Sequence, residues 1–172
     1  EIPKISPQAL ADQLDKTLVI DVRSPSEFRA ARIPGAINLP LLSDEERHEI
    51  GILYKQQGKH AAMERAYEMV NPRRSLLVDK AKKIAKDRPC IVHCWRGGLR
   101  SRSVAALLIE NGLDITLLEK GYKAFRQWAM STLSQQYDLR ILGGMTGCGK
   151  TEILDGLKAL NQQVVDLEGM AN

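Results

Sequence analysis

VIDVRSPSEFRAARIPGAINLP, residues 19–40, carries one strand–helix–strand passage in 22 residues. Thr17 to Val22 is a short apolar run of the kind that forms a buried strand. Ser24 and Pro25 then open a helical turn that runs to Ala31, with Ser24 as cap and Pro25 as first helical residue. Pro34-Gly35 turns the chain into a second strand, Ala36 to Leu39. Arg23 and Glu27 lie one helical turn apart and are expected to pair.

The same alternation continues on both sides. Before it, Ser6 and Pro7 start a short helix to Leu14. After it, SDEE at residues 43–46 is a capping box, and helical character runs to about Val70 with a break near Gly58. A further helix is expected from Ser75 to Asp87, ending before Pro89. Strands are expected at Cys90–His93 and Ile115–Leu118, and helices at Arg100–Asn111 and Tyr122–Gln136, with Gly112 stopping the first of these. A strand at Leu139–Leu142, a helix at Lys150–Leu160 and a strand at Val164–Leu167 complete the reading. Strands that alternate with helices predict an α/β fold, a mainly parallel sheet with helices on both faces. Two units follow, residues 1–136 and residues 138–172, the second only a βαβ portion of a domain.

Composition narrows the function. The chain has 172 residues, 44% of them hydrophobic, and a net charge of +4. That balance permits an acidic partner such as RNA without requiring one. No apolar run approaches the ~20 residues that a membrane-spanning helix needs, so no membrane partner is expected. The chain starts at EIPKIS without a Met, as a processed or trimmed product would. Three cysteines, Cys90, Cys94 and Cys148, argue against a disulfide framework. Cys90 and Cys94 are about 13 Å apart along a strand, too far to bridge. No CxxC pair occurs and the histidines are scattered, so no metal site is expected. A cytoplasmic chain with reduced thiols fits best.

The chemistry concentrates in IVHCWRGGLRS, residues 91–101. Cys94 stands at the carboxyl end of a strand, where open α/β sheets place their sites. Trp95, Arg96, Gly97, Gly98, Leu99 and Arg100 form the loop that leads into the next helix. Glycines let the backbone turn its N–H groups inward, and the helix N-terminus and two arginines add positive potential. A thiol there is expected to be ionised and nucleophilic, next to an anion cradle. The plainer alternative is a buried strand-end cysteine. No aspartate is marked as a general acid; Asp79, Asp87 and Asp114 look like helix-edge or turn residues.

A second motif, GMTGCGKT at residues 144–151, matches G-x-x-x-x-G-K-[ST] in full. Gly144, Met145, Thr146, Gly147, Cys148 and Gly149 would wrap a diphosphate with backbone N–H groups. Lys150 would contact phosphate oxygens, and Thr151 would meet Mg²⁺ if that ion binds. Cys148 reads as a small filler.

Residues 19–40 resemble the N-terminal signature of rhodanese domains, in Asp21, Val22, Arg23, Glu27, Phe28, Ile33, Pro34, Gly35, Ala36 and Asn38. Ala31-Arg32 stands where that family often has Gly-His. Cys-x5-Arg from Cys94 to Arg100 is also similar in spacing to the phosphate loop of tyrosine phosphatases, and sulfurtransferase loops are usually one residue shorter. Taken with the Gly-rich motif, the chain closely resembles the tRNA 2-selenouridine synthase family. The loop Cys94–Ser101, EIGILYKQQGKHAA (49–62) and DLEGMAN (166–172) all look like that family's segments.

The resemblance implies a rhodanese-like parallel sheet followed by a truncated P-loop unit. It implies a tRNA-modifying transferase that replaces sulfur by selenium in 2-thiouridine at the wobble position, through a geranylated intermediate. Selenophosphate and geranyl diphosphate would be substrates, with no tightly bound cofactor. The partners would be a thiolated tRNA and, for supply, a selenophosphate-producing enzyme. Cys94 would handle selenium and residues 95–100 would hold the selenophosphate oxyanion. Residues 144–151 would hold the diphosphate of the prenyl donor or of a nucleotide. The phosphate-loop part is much shorter than in that family. Two other readings stay open: a rhodanese-fold cysteine phosphatase, and a non-catalytic module that binds phosphoanions or RNA. Basic groups available for RNA are Arg73 and Arg74, Lys80, Lys82, Lys83, Lys86 and Arg88, and Lys120, Lys123 and Arg126. Trp95 is a candidate to stack on a base, whereas Trp128 beside Phe125 reads as core.

Overall fold

The computed structural model describes residues 1–86 and 88–171. Asp87, the expected end of a helix, and Asn172, the end of the DLEGMAN segment, lie outside the described residues. The chain divides into two compact units, Glu1–Ser134 and Gln135–Asn172.

The first unit holds a five-stranded parallel sheet. Its strands are β1 (Lys4–Ile5), β2 (Leu18–Asp21), β3 (Ile37–Asn38), β4 (Cys90–His93) and β5 (Ile115–Leu118), in the order β1-β5-β4-β2-β3. β2 and β4 sit centrally and pair from Leu18 opposite Cys90 to Asp21 opposite His93. Every residue of both strands is buried, as helices on both faces require. The helices are α1 (Pro7–Ala11), α2 (Pro25–Ala30), α3 (Asp44–Val70), α4 (Arg74–Ala85), α5 (Leu99–Glu110) and α6 (Gly121–Leu133).

The two-residue period of the strands divides the core. Leu18, Ile20 and Val22 of the β2 segment join Cys90, Val92, Ile115 and Leu117 in a cluster packed by Leu77, Val78 and Ala81 of α4 and Val104, Ala105 and Leu108 of α5. The alternate residues Val19, Ile91 and Leu118 form a second cluster with Leu10 of α1 and Tyr122 and Phe125 of α6. The expected strand–helix–strand of residues 19–40 forms, and Ser6 caps α1 by accepting from the Ala9 N–H at 3.2 Å. β1 is additional to the sequence reading.

α3 is two helical arms joined at Gly58, whose φ of 86° and ψ of −174° are not helical. Its first turn is closed by the expected capping box. The Ser43 N–H donates to Glu46 at 2.8 Å and the Glu46 N–H to the Ser43 hydroxyl at 3.2 Å.

The second unit contains α7 (Lys150–Ala159) and α8 (Leu167–Ala171). The strands expected at 139–142 and 164–167 do not form among the described residues, so this unit is not a βαβ passage. A strand is stable only where neighbours take its backbone hydrogen bonds, and the second unit supplies none. Leu139 and Ile141 are 71% and 94% exposed, and Leu167 begins a helix instead.

Candidate active site

β4 delivers Cys94 to the carboxyl edge of the sheet. The residue is 3% exposed, and its Sγ lies 3.2 Å from the Ser101 hydroxyl of α5. The same hydroxyl donates to the Gly98 carbonyl at 3.2 Å. Ser101 therefore ties the sulfur, the loop and the first turn of α5 together. Cys94 thus has the burial of the plainer reading, joins the apolar cluster of the central strands, and meets the Ser101 hydroxyl on one side.

The loop is set by close backbone packing against residues 120–121. The Tyr122 N–H donates to the Cys94 carbonyl and the Lys123 N–H to the Trp95 carbonyl, both at 2.9 Å. Gly121 has φ 62°, and any side chain there would collide with the Cys94 carbonyl and the Gly97 amide. Gly97, at φ 64°, lies tightly against the backbone of Leu118, Lys120 and Gly121. Both positions need glycine for space and for conformation.

Of the other loop residues, Arg96 and Leu99 are exposed, and Gly98 caps α5. Trp95 is half-buried, with its ring 5.6 Å from that of Tyr122. Trp128 packs on Phe125 as expected and donates to the Gln8 side chain at 2.8 Å. Arg100 is engaged by a partner far away in sequence: its Nη1 donates to Glu27 Oε2 at 2.7 Å. Burial opposes its charge, but the hydrogen bond and negative charge of Glu27 more than offset it and raise its pKa. Burial likewise opposes the Glu27 carboxylate, and Arg100, the Ser24 N–H and Arg47 more than offset it, holding Glu27 below its usual range.

The expected pairing of Arg23 with Glu27 is therefore wrong. Arg23 turns inward and chelates Asp21, with contacts of 2.6 to 3.0 Å, and donates to the Ala31 carbonyl at 2.7 Å. Asp21 and Arg23 are both fully buried. The Arg23 guanidinium covers the Tyr122 ring at 4.1 Å. His93, also fully buried, brings Nε2 to 3.7 Å from Asp21 Oδ2. A buried ion pair fixed by a register partner and an aromatic face outcompetes a one-turn pairing on the surface.

In the second unit, residues 144–151 curl at the N-terminus of α7. Gly147 and Gly149 have φ of 80° and 82°. Lys150 Nζ folds back onto the Gly144 and Met145 carbonyls at 3.0 Å each. Cys148 crowds Gly144 so closely that a side chain there would displace the sulfur. A loop with the backbone turned by glycines at a helix N-terminus suits a phosphate. Among the described residues, no group of three His, Cys, Asp or Glu side chains is placed to hold a metal ion, and no helix is long and apolar enough to cross a membrane.

A parallel sheet with a glycine loop at its carboxyl edge, packed against residues 120–121, defines the class. The rhodanese-like domain family matches residues 6–127, and the chain belongs to it. An N-terminal domain of a putative ATP/GTP binding protein from Clostridium difficile 630 shares the fold with a TM-score of 0.67 and 33% identity, over 74% of this chain and 98% of that one.

The particular relatives are narrower. Residues 137–172 match the tRNA 2-selenouridine synthase AAA domain. Proteins named tRNA 2-selenouridine synthase from Sulfurovum sp. and Psychromonas ingrahamii are 41% and 38% identical to this chain, over 92% and 91% of its length. The chain spans 44% and 43% of those two relatives.

Proposed function

We propose that this chain carries the selenium-handling site of a tRNA-modifying transferase, one that replaces sulfur by selenium in 2-thiouridine at the wobble position. Selenophosphate would be the donor, and geranylation would precede the exchange. The observation that carries this reading is the Cys94 thiol seated under a glycine loop, in a chain whose relatives at 41% identity bear that name.

The chemistry is consistent with the site. Sulfide is a poor leaving group from the pyrimidine C2, whereas an alkylated sulfur departs as a thiol. Selenium of selenophosphate, already at the oxidation level of selenide, then makes the new bond to C2 as the alkylated sulfur leaves as geranylthiol, and water takes the phosphoryl group from selenium as phosphate. Residues 95–100 would hold the oxyanion, with Gly97 and Gly98 leaving backbone N–H groups free to face it. Glu27 would keep Arg100 in place, and Ser101 would keep the sulfur aimed. Residues 144–151 would take a diphosphate, that of geranyl diphosphate or of a nucleotide, with Thr151 next to Mg²⁺ where the ion accompanies it. A Cys94 that must stay a free thiol suits the reducing cytoplasm, and a selenophosphate-producing enzyme would supply the donor.

Mass spectrometry of 2-thiouridine tRNA after incubation with geranyl diphosphate and selenophosphate tests the assignment. Selenium in the tRNA with release of geranylthiol and phosphate is expected, and Cys94→Ser should abolish selenium incorporation. Full incorporation by Cys94→Ser, or a phosphocysteine formed from an aryl phosphate, would overturn it.

A further inference from the structure

α3 is an excursion from the sheet edge that meets the main core cluster through Ile50 and Val70. Its two ends are tied to one root. Arg73, just beyond the second arm, donates to the Leu41 carbonyl at 3.0 Å and clasps Glu46 of the first arm at 2.8 and 2.5 Å. At the same root the Ser26 N–H and hydroxyl donate to Asp44 at 2.9 and 2.6 Å. Between the ends, Arg65 bonds Glu49 at 2.7 Å across a sequence gap of 16. In a straight helix those residues would lie about 24 Å apart, so the arms fold back on each other about Gly58. Ala62 is the one buried residue of α3.

The hairpin's charge is divided along its length. Asp44, Glu45, Glu46 and Glu49 occupy the root half of the first arm, and Glu64 and Glu68 the second. From Ile50 to Met63 there is no carboxylate, and Lys55, Lys59 and His60 lie there with Gln56 and Gln57. Both lysines are exposed, and no ion pair within the described residues involves either. His60 lies 3.5 Å from Glu64. Tyr54, one turn from the bend, is 57% exposed. A tip with positive charge, amide donors and a bare aromatic ring fits a nucleic acid: lysines for phosphates, the ring for an unstacked base.

The root touches the active site. Arg47 of the first arm lies 3.7 Å from Glu27, the carboxylate that holds Arg100 at 2.7 Å. The hairpin also leaves the sheet after β3, at the carboxyl edge that carries Cys94.

We infer that the α3 hairpin docks the tRNA substrate, with Lys55 and Lys59 on its phosphates and Tyr54 against a base. This rests on the tRNA reading of Cys94 proposed above.

The test is fluorescence anisotropy of the full chain with a labelled tRNA bearing 2-thiouridine, over a range of salt. Lys55→Gln with Lys59→Gln should weaken binding about tenfold and reduce the salt slope by about two, one for each phosphate that a lysine no longer neutralises. Tyr54→Ala should weaken it about tenfold with the slope unchanged. Lys80→Gln with Lys83→Gln, on the exposed face of α4, serves as the charge-matched comparison and should cost less. Circular dichroism checks that the variants keep their helix. Wild-type binding matched by both tip variants would overturn the hairpin assignment alone. A wild-type chain without salt-dependent tRNA binding would overturn the tRNA reading and the hairpin with it.

Discussion

His93 holds an imidazole in full burial between Asp21, Arg23 and Tyr122. Burial lowers its pKa from the usual 6.5, with Arg23 acting in the same direction and Asp21 and the Cys94 carbonyl opposing. The neutral ring is thus the folded form. As pH falls, the unfolded chain takes up this proton first, so stability is complete above about 6.5 and is lost as pH falls through 6.5 toward the folded value. The limiting slope is one proton's worth, about 1.4 kcal/mol per pH unit. The lowered carboxylates Glu27 and Glu46 act only below their usual 4.5, and Asp44, held at about 2 by the Ser26 and Ser24 hydroxyls, lower still. Urea midpoints between pH 7.5 and 5.5 are expected to fall, and His93→Gln should flatten that dependence. A wild-type midpoint constant across the range would contradict the neutral, buried ring. Such a residue also shows what local sequence leaves out. Asp21 and Arg23 stand two apart and are legible as a signature, yet Arg23's partner depends on β2–β4 register and on Tyr122, which lies far along the chain. The bond from Arg100 to Glu27 spans 73 positions and leaves no short-range trace.

Elements are legible in the sequence where they carry their own signals. Caps at Ser6, Ser24 and Ser43, the apolar runs of β2, β4 and β5, and the break at Gly58 all lie in local chemistry. β1 leaves no such signal because two residues carry no periodicity; it exists through pairing with β5. The reverse holds at residues 139–142 and 164–167, whose apolar patterns are real but lack partners. Gly58 gives the clearest single-position test. A side chain there meets open space, so the obstacle is its backbone conformation alone. That region is essentially confined to glycine and costs other residues about 1–3 kcal/mol. Both ends of α3 are anchored at one root, so Gly58→Ala should keep the fold-back and lower the stability of the chain by about 1–3 kcal/mol, read as a fall in the urea midpoint. With cysteines at positions 49 and 65, a short bifunctional maleimide should link the arms in the Gly58 chain and in Gly58→Ala alike. Loss of linking in Gly58→Ala would show that the glycine, not the ties at the hairpin root, sets the bend.

Across the molecule, stability is distributed unevenly. Both apolar clusters lie within residues 10–125. From Gln135 to Met170 no residue is buried, although Ile141, Met145, Leu160, Leu167 and Met170 are each 70% exposed or more. At about 25 cal/mol per Å², uncovered apolar surface contributes nothing to folding, and fewer than about 40 residues rarely build a core of their own. The first unit therefore should melt as a cooperative body, while the second is held mainly by its own helical hydrogen bonds. Limited proteolysis separates the two expectations. Trypsin should cut first at Arg140, which is exposed and outside any helix or strand. Lys55 and Lys59 are equally exposed but sit in helical arms zipped by Arg65 and Glu49, so they should be cut later. The fragment that ends near Arg140 should keep the thermal transition of the whole chain and the reactivity of Cys94 toward iodoacetamide. A first cut within residues 1–134, or a transition lost with the removed segment, would mean that residues 135–172 support the rhodanese-like core.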